Sequence, residues 1–205
     1  MVDASIGGKT GCDFKNYKNM IGSFYPASKI YIWPGFIKFL PENQYRSGLA
    51  EVIKTAIIGD KELFNVLQNQ SENIMKREDL ILEFMITHCI NVKSNIVHVD
   101  FMEQNIRAFL NLGHTFGHAL ESIVGLGAIT HGEAVAWGLG RIANISLDKG
   151  YCSQEFYESI ISILNKYNYD TTAIPEIVKG GEIGNRFISI MHKDKKNKNN
   201  QINIV

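Results

Sequence analysis

The chain has 205 residues, 45% of them hydrophobic and 20% charged, and its 21 basic and 21 acidic side chains leave a formal net charge of zero. That is ordinary globular composition, and the balance gives no reason to look to nucleic acid or an anionic membrane as a partner. Cys12, Cys89 and Cys152 form no C-x-x-C pair, which speaks against a disulfide framework and for isolated thiols in a cytoplasmic protein; no apolar run reaches the roughly 18–20 residues of a bilayer span and no secretory leader is visible.

Residues 1–35 are rich in glycine, aromatics and β-formers, so short strands joined by glycine turns are expected, for example over Lys29–Trp33. Pro34-Gly35 and Pro41 punctuate the chain, and the periodicity then predicts helices over 45–58, 60–69, 78–99, 104–124, 131–149, 153–168 and 183–192. Asp60 and Ser153 suit N-caps. Thr130 with Glu133 suits a capping box, which puts His131 in the first turn of a helix. Lys193–Asn200 is polar and of low complexity, and Gln201–Val205 alternates like a strand. A strand-like segment at each end suggests a portion of a larger sheet-containing protein.

The chemistry centres on Arg107-Ala-Phe-Leu-Asn-Leu-Gly-His-Thr-Phe-Gly-His118. On a continuous helix at about 100° per residue, Arg107, Asn111, His114, His118 and Glu121 share an arc of roughly 80°. The bland alternative is the wet face of an amphipathic helix, but such faces favour Lys, Glu and Gln over two His, an Arg and an Asn. Histidines four apart can also converge on one ion. Glu51 and Lys54 lie among apolar residues in Gly48-Leu-Ala-Glu-Val-Ile-Lys-Thr-Ala56 and can face an interior site, with a surface i,i+3 ion pair as the alternative. His131 alone could equally be a capping or core histidine. Gly7-Gly8-Lys9-Thr10 lacks the earlier glycine of a phosphate loop, which leaves Lys9, Lys18 and Lys93 as candidate anion contacts.

Taken together these runs resemble the 3-dehydroquinate synthase family of sugar-phosphate cyclases. The matching stretches are Asp3–Gly11, Lys18–Tyr25, Gly48–Lys54, Arg107–His118, His131–Ala136 and Asp194–Lys196, in the family's order and spanning nearly the whole chain. The resemblance implies a mainly α fold: a helical metal- and substrate-binding domain over 36–205, with a β-rich remnant of an α/β NAD domain over 1–35. It implies conversion of 3-deoxy-D-arabino-heptulosonate 7-phosphate to 3-dehydroquinate and phosphate in the shikimate pathway, with NAD and one divalent metal, zinc or alternatively cobalt. The chemistry runs through oxidation at C5, elimination of phosphate, return of the hydride, ring opening and an intramolecular aldol step.

Matched position by position, the metal ligands are Glu51, His114 and His131. This differs from the spacing, which pairs His114 with His118. Lys9, Asn19, Lys54, Lys93, Arg107, Asn111, His118 and Lys195 surround the substrate, with Asp3 and Glu103 as further site residues. Lys9, Lys18 and the stretch Phe36, Ile37, Lys38, Phe39 face NAD. The complete enzyme is expected to be a homodimer with an N-terminal NAD domain that is missing here, so the 205 residues alone are expected to be inactive. Rival readings are a cyclase of the 2-deoxy-scyllo-inosose synthase type, a metal-dependent polyol dehydrogenase and a non-catalytic fold fragment. A metallohydrolase is disfavoured because His114-Thr-Phe-Gly-His118 lacks the Glu of H-E-x-x-H.

Overall fold

A computed structural model describes all residues except 1, 15–16, 126, 176, 179–182, 193–203 and 205. The expected strand over Gln201–Val205 and the candidate Lys195 therefore lie outside the described residues. The architecture is mainly α, with one antiparallel hairpin of β1 (Cys12–Phe14) and β2 (Tyr17–Ile21). Thr10 and Ser23 extend that pairing through a backbone bond of 2.9 Å, and Tyr25 bonds back to Gly8 at 2.7 Å. The expected strand at Lys29–Trp33 does not form; it runs into a 3-10 turn at Pro34–Phe39, and no ladder partner lies beside it among the described residues.

The helices are α1 (Glu42–Gly59), α2 (Lys61–Asn69), α3 (Ser71–Met75), α4 (Asp79–Val99), α5 (His114–Val124), α6 (His131–Asp148), α7 (Gln154–Lys166) and α8 (Ile183–His192). The Asp60 side chain caps α2 through Leu63 N–H at 2.8 Å, and Ser153 caps α7 through Phe156 N–H. Thr130 and Glu133 form the capping box that starts α6 at His131. The core packs α1, α2, α4, α6 and α7 through Leu49, Ile53, Leu63, Leu82, Leu139, Ile163 and Leu164. Buried tyrosine hydroxyls tie the layers: Tyr45 donates to the Ile74 carbonyl at 2.6 Å and Tyr167 to that of Leu67 at 2.8 Å. By length and composition α4 could pass for a bilayer span, but its residues Ile81, Leu82, Met85, Ile86 and Cys89 belong to this core.

The single helix expected over 104–124 is instead two pieces. A 3-10 turn covers Ile106–Asn111, and α5 starts afresh at His114 after Gly113, whose φ of 77° is left-handed. Glycine tolerates that conformation without the Cβ clash other residues suffer. A Cβ there would also press within 2.9 Å of the Leu139 backbone nitrogen on α6. The turn before the break is organised by Asp100, whose carboxylate accepts from the backbone N–H groups of Gln104, Asn105 and Arg107 at 2.7–3.0 Å. Arg107 and Asn111 therefore do not share one helical stripe with the two histidines.

Candidate metal and anion site

Two close approaches deliver the histidines. Gly132 lies against α1, where a Cβ would meet the Ser47 carbonyl oxygen at 2.1 Å, and its N–H donates to the Ser47 hydroxyl at 3.0 Å. Glu51 is one turn further along α1, so His131 arrives beside it. Gly138 lies against Gly113 in the same manner, with its Cβ position 2.0 Å from the Gly113 carbonyl oxygen. That contact seats the start of α5, and with it His114, on α6.

At this junction Glu51 Oε1 stands 3.6 Å from His114 Nε2 and 3.4 Å from His131 Nε2. The His118 ring lies 5.4 Å from that of His114 and stacks on His131 at 5.8 Å, centroid to centroid. One ligand atom from each of the three histidines falls within 4.8 Å of the others. Glu51 is 8% exposed, and neither carboxylate oxygen makes a hydrogen bond of good geometry, although Oε2 ion-pairs with Lys54 at 2.5 Å. A buried acceptor in that state needs a partner.

A divalent cation fits the arrangement. Ligands about 2.1 Å from a tetrahedral ion stand about 3.4 Å from one another, close to the two Glu51–imidazole separations. Glu51 Oε1 reaches both His114 and His131 within 3.6 Å, and the exposed His118 completes the ring of nitrogens. The Nδ1 atoms of His114 and His131 have partners too. That of His114 is 3.2 Å from the Leu112 carbonyl, and that of His131 is 3.3 Å from Glu121 Oε2.

The electrostatics follow from burial and these neighbours. Burial opposes ionisation of Glu51, but Lys54, His131 and His114 outweigh it and hold the carboxyl well below the usual carboxylate range. Burial drives His114 down to about 3, so it stays a neutral imidazole able to donate a lone pair. The carboxylates of Glu121 and Glu51, 3.3 and 3.4 Å from its ring nitrogens, raise His131 to about 9. Lys54, 1% exposed, loses by burial but gains more from Glu51 and Asp3, which raise it above its ordinary value.

The remaining candidates fall into two groups around this centre. Asp3 lies 3.6 Å from Lys54 and is in direct contact with Lys93, whose ammonium also meets the Asp3 carbonyl. Burial depresses Lys93, and Asp3 only partly restores it. Arg107, 1% exposed, donates to the Gly7 carbonyl at 2.7 Å and to that of Phe101, with its guanidinium 5.5 Å from the Phe24 ring and 5.8 Å from the Phe101 ring, which contact each other. Glu103, in left-handed backbone conformation, joins Lys9 by an ion pair and Asn111 by a 2.7 Å hydrogen bond. Three buried cations, Lys54, Lys93 and Arg107, thus lie in this part of the fold, with the exposed Lys9 tied to Glu103.

Other candidates stand apart or cannot be placed. Ile37 points into the core, Phe36 and Phe39 are exposed, and Lys38 pairs with Asp79 at 2.6 Å. The side chains of Lys18 and Asn19, on β2, lie outside the described residues, as does Lys195. The sequence placed Glu121 on the polar arc with His114 and His118 but assigned it no role, and it gave no sign of Asp100.

A family profile described as 3-dehydroquinate synthase C-terminal matches residues 48–197, and one described as 3-dehydroquinate synthase N-terminal matches residues 1–47. A 3-dehydroquinate synthase of Synechocystis sp. is 40% identical over 207 aligned residues, covering 100% of this chain and 56% of that protein. That of Pelobacter propionicus is 36% identical over 204, covering 100% of this chain and 55% of its own length. The chain thus spans about half the length of the curated relatives it matches. Among solved structures, a 2-epi-5-epi-valiolone synthase from Streptomyces hygroscopicus subsp. jinggangensis, with NAD+ and Zn2+ bound, superposes with a TM-score of 0.81 at 23% identity, over 92% of this chain and 51% of that one. A 2-deoxy-scyllo-inosose synthase with carbaglucose-6-phosphate, NAD+ and Co2+ gives 0.77 at 24%, over 92% and 50%. At these identities the likeness is one of fold.

Proposed function

This chain belongs to the 3-dehydroquinate synthase family, and from that premise we propose that it supplies the metal- and substrate-binding half of an enzyme converting 3-deoxy-D-arabino-heptulosonate 7-phosphate to 3-dehydroquinate and phosphate. The observation that carries the reading is the junction of Glu51, His114 and His131, with Lys54 ion-paired to Glu51 and Lys93 joined to it through Asp3. It supports a site for one divalent cation beside a substrate that carries a carboxylate and a phosphate. Because the chain spans 56% of the length of the Synechocystis relative, the activity is proposed for a full-length protein; for these 205 residues alone we propose binding without turnover.

Glu51, His114 and His131 would hold the ion, leaving open positions for substrate hydroxyls. When bound, a divalent metal acts there as a Lewis acid on the substrate oxygen that is oxidised. His118 is exposed next to the ligands and suits proton transfer to or from the substrate. Arg107 offers a planar fork for a carboxylate or phosphate, whereas Lys54 and Lys93 offer movable point charges. Asp3 holds Lys54 and Lys93, and Glu103 holds Lys9, until an anionic substrate competes for them, and Asn111, Asn19 and Lys195 complete the pocket. A preorganised polar pocket of this kind lets one bound molecule pass through successive steps without leaving.

For the dinucleotide, the described residues offer only a two-stranded hairpin and the sequence contains no G-x-G-x-x-G turn. The residues present do not build an NAD site by themselves. Lys9, Lys18 and Phe36–Phe39 would at most touch a dinucleotide held by another part of the protein. In the same reading residues 1–35 form the strip that faces that part, and 36–205 form the helical half.

The test mixes this chain with a separately folded N-terminal half of a family member, NAD, zinc and 3-deoxy-D-arabino-heptulosonate 7-phosphate, and measures phosphate release. Release that disappears with Glu51→Ala is expected. No release from a well-folded pair, with release from another sugar phosphate, would replace the substrate while leaving the cyclase reading intact.

A further inference from the structure

Two imidazoles at the proposed metal centre are anchored through Nδ1, and in different ways. His114 leans on a backbone carbonyl, that of Leu112, at 3.2 Å. His131 leans on a carboxylate, Glu121 Oε2, at 3.3 Å, while its Nε2 faces Glu51 at 3.4 Å. The difference matters because His131 is the less enclosed of the two, its side chain 41% exposed against 10% for His114. Packing alone restrains its ring less. Glu121, by contrast, is 8% exposed and rooted in α5.

The two helices are held close at this level by Gly117. A Cβ there would come within 3.0 Å of the Ala134 carbonyl oxygen on α6, so Glu121, one turn later on α5, is carried to the first residue of α6. The contact therefore comes from how the backbones pack, not from a chance rotamer on the surface.

We propose that Glu121 is a positioning residue for the metal centre: its carboxylate accepts the Nδ1 proton of His131, fixes the tautomer and turns Nε2 toward the ion. The inference rests on the metal site proposed above. A carboxylate behind a ligating imidazole orients the ring and makes it a better donor, and removing such a partner weakens metal affinity about 10- to 100-fold. An anionic partner behind one histidine and a neutral one behind the other also makes the two ligands unequal, His131 being the stronger donor.

The experiment titrates the metal-free 205-residue chain with Co2+, reading its visible d–d absorption, and separately melts the metal-free proteins. Glu121→Ala is expected to bind Co2+ about 10- to 100-fold more weakly, with a shifted visible band and, above about pH 9 where the raised His131 no longer contributes to stability, an unchanged metal-free melting temperature. Glu121→Gln, which keeps the size and one acceptor oxygen, is expected to fall between the two. Wild-type affinity and spectrum in Glu121→Ala would overturn the assignment. So would weakened affinity with an unchanged band and a matching loss of metal-free stability, which is the mark of packing alone. Should Glu121→Ala fail to fold, Glu121→Gln decides: the same affinity and band as wild type overturn the role, and a weaker, shifted complex supports it. If the wild-type chain takes up no Co2+, the metal site itself falls and this inference with it. If the wild type binds and both variants bind equally well, only Glu121 is ruled out.

Discussion

Gly132, the second residue of α6, donates its backbone N–H to the Ser47 hydroxyl of α1 at 3.0 Å, in a contact too close for any side chain on the glycine. This contact lets His131 meet Glu51, because Ser47 and Glu51 are one turn apart on α1. Gly132→Ala forces the Ser47 backbone and the start of α6 apart. Overpacking of this kind costs about 1–3 kcal/mol, and at roughly 2–4 °C per kcal/mol in a chain of this size the melting temperature should drop by several degrees. Divalent-metal affinity should fall as well. Calorimetry together with a metal titration checks both, and unchanged affinity in the variant would show that His131 reaches the centre by another route.

Replacing a proposed ligand should remove the metal outright. The wild-type chain is expected to hold one equivalent of zinc after dialysis, and Glu51→Ala and His131→Ala to hold much less. The loss should exceed the roughly 10–100-fold typical of an outer-shell change. Elemental analysis of the dialysed proteins reads this directly. His118→Ala should keep its metal, and a loss there equal to that of His131→Ala would make His118 a ligand.

Metal binding should depend on pH through His131. In the metal-free protein Glu121 and Glu51 raise this histidine to about 9, so below that pH an incoming ion must displace its proton. Apparent affinity should rise about tenfold per pH unit up to about 9 and then level off, with roughly one proton released per metal. The stability of the metal-free chain runs the other way. A raised histidine contributes fully below its unfolded value of about 6.5, and the contribution is lost as pH climbs through about 9. Co2+ titrations and melts at pH 6, 7.5 and 9.5 separate the two trends; affinity flat over this range would contradict the proton competition.

Asp100 should be needed for the turn that presents Arg107. Backbone N–H groups of Gln104 and Arg107, with that of Asn105, bond its carboxylate and hold it below the ordinary value for an aspartate. A depressed carboxylate stabilises above its unfolded value of about 3.9 and loses that contribution as pH falls through the lower folded value. Asp100→Ala should therefore be less stable than wild type at pH 7, with the gap closing in acid. In the reconstituted enzyme it should raise KM for the anionic substrate more than it lowers kcat. Denaturant melts at pH 7 and pH 3, with steady-state phosphate release, give the readings.

Tyr167→Phe serves as a contrast remote from the site. It leaves the buried Leu67 carbonyl without the hydroxyl it accepts from at 2.8 Å, at a cost of about 1–3 kcal/mol. Metal affinity should not change. A lowered affinity would mean that loosening the core reaches the site.

Much of the fold was legible because local rules dominate it. Capping by Asp60, Thr130 and Ser153 and the apolar periodicity placed α1, α2, α4, α6 and α7 within a few residues of their bounds. Two readings were not local and failed. Lys29–Trp33 has strand composition but no strand beside it among the described residues, and a strand exists only when paired. Residues 104–124 have helical periodicity, but Gly113 takes a left-handed conformation to let α5 seat against Leu139 of α6. Periodicity registers which residues are apolar, not where the backbone breaks to make room for a neighbour.

The same division holds for the site. Residue types and their order along the chain were enough to nominate Glu51, His114, His131, Lys54, Lys93 and Arg107, because a metal centre beside an anion site needs those chemistries whatever the coordinates. What the sequence could not decide was which of them meet. Helical spacing paired His114 with His118, and their nitrogens do lie within 4.8 Å of each other; what spacing could not show is that His131, on another helix, joins them, with Glu51 Oε1 3.6 Å from His114 and 3.4 Å from His131. Distances between elements depend on helix–helix contact, here governed by glycines whose missing side chains let backbones touch. The sequence determined the inventory of groups and the elements that carry them; tertiary packing decided that Glu51, His114 and His131 converge and that Glu121 stands behind one of them.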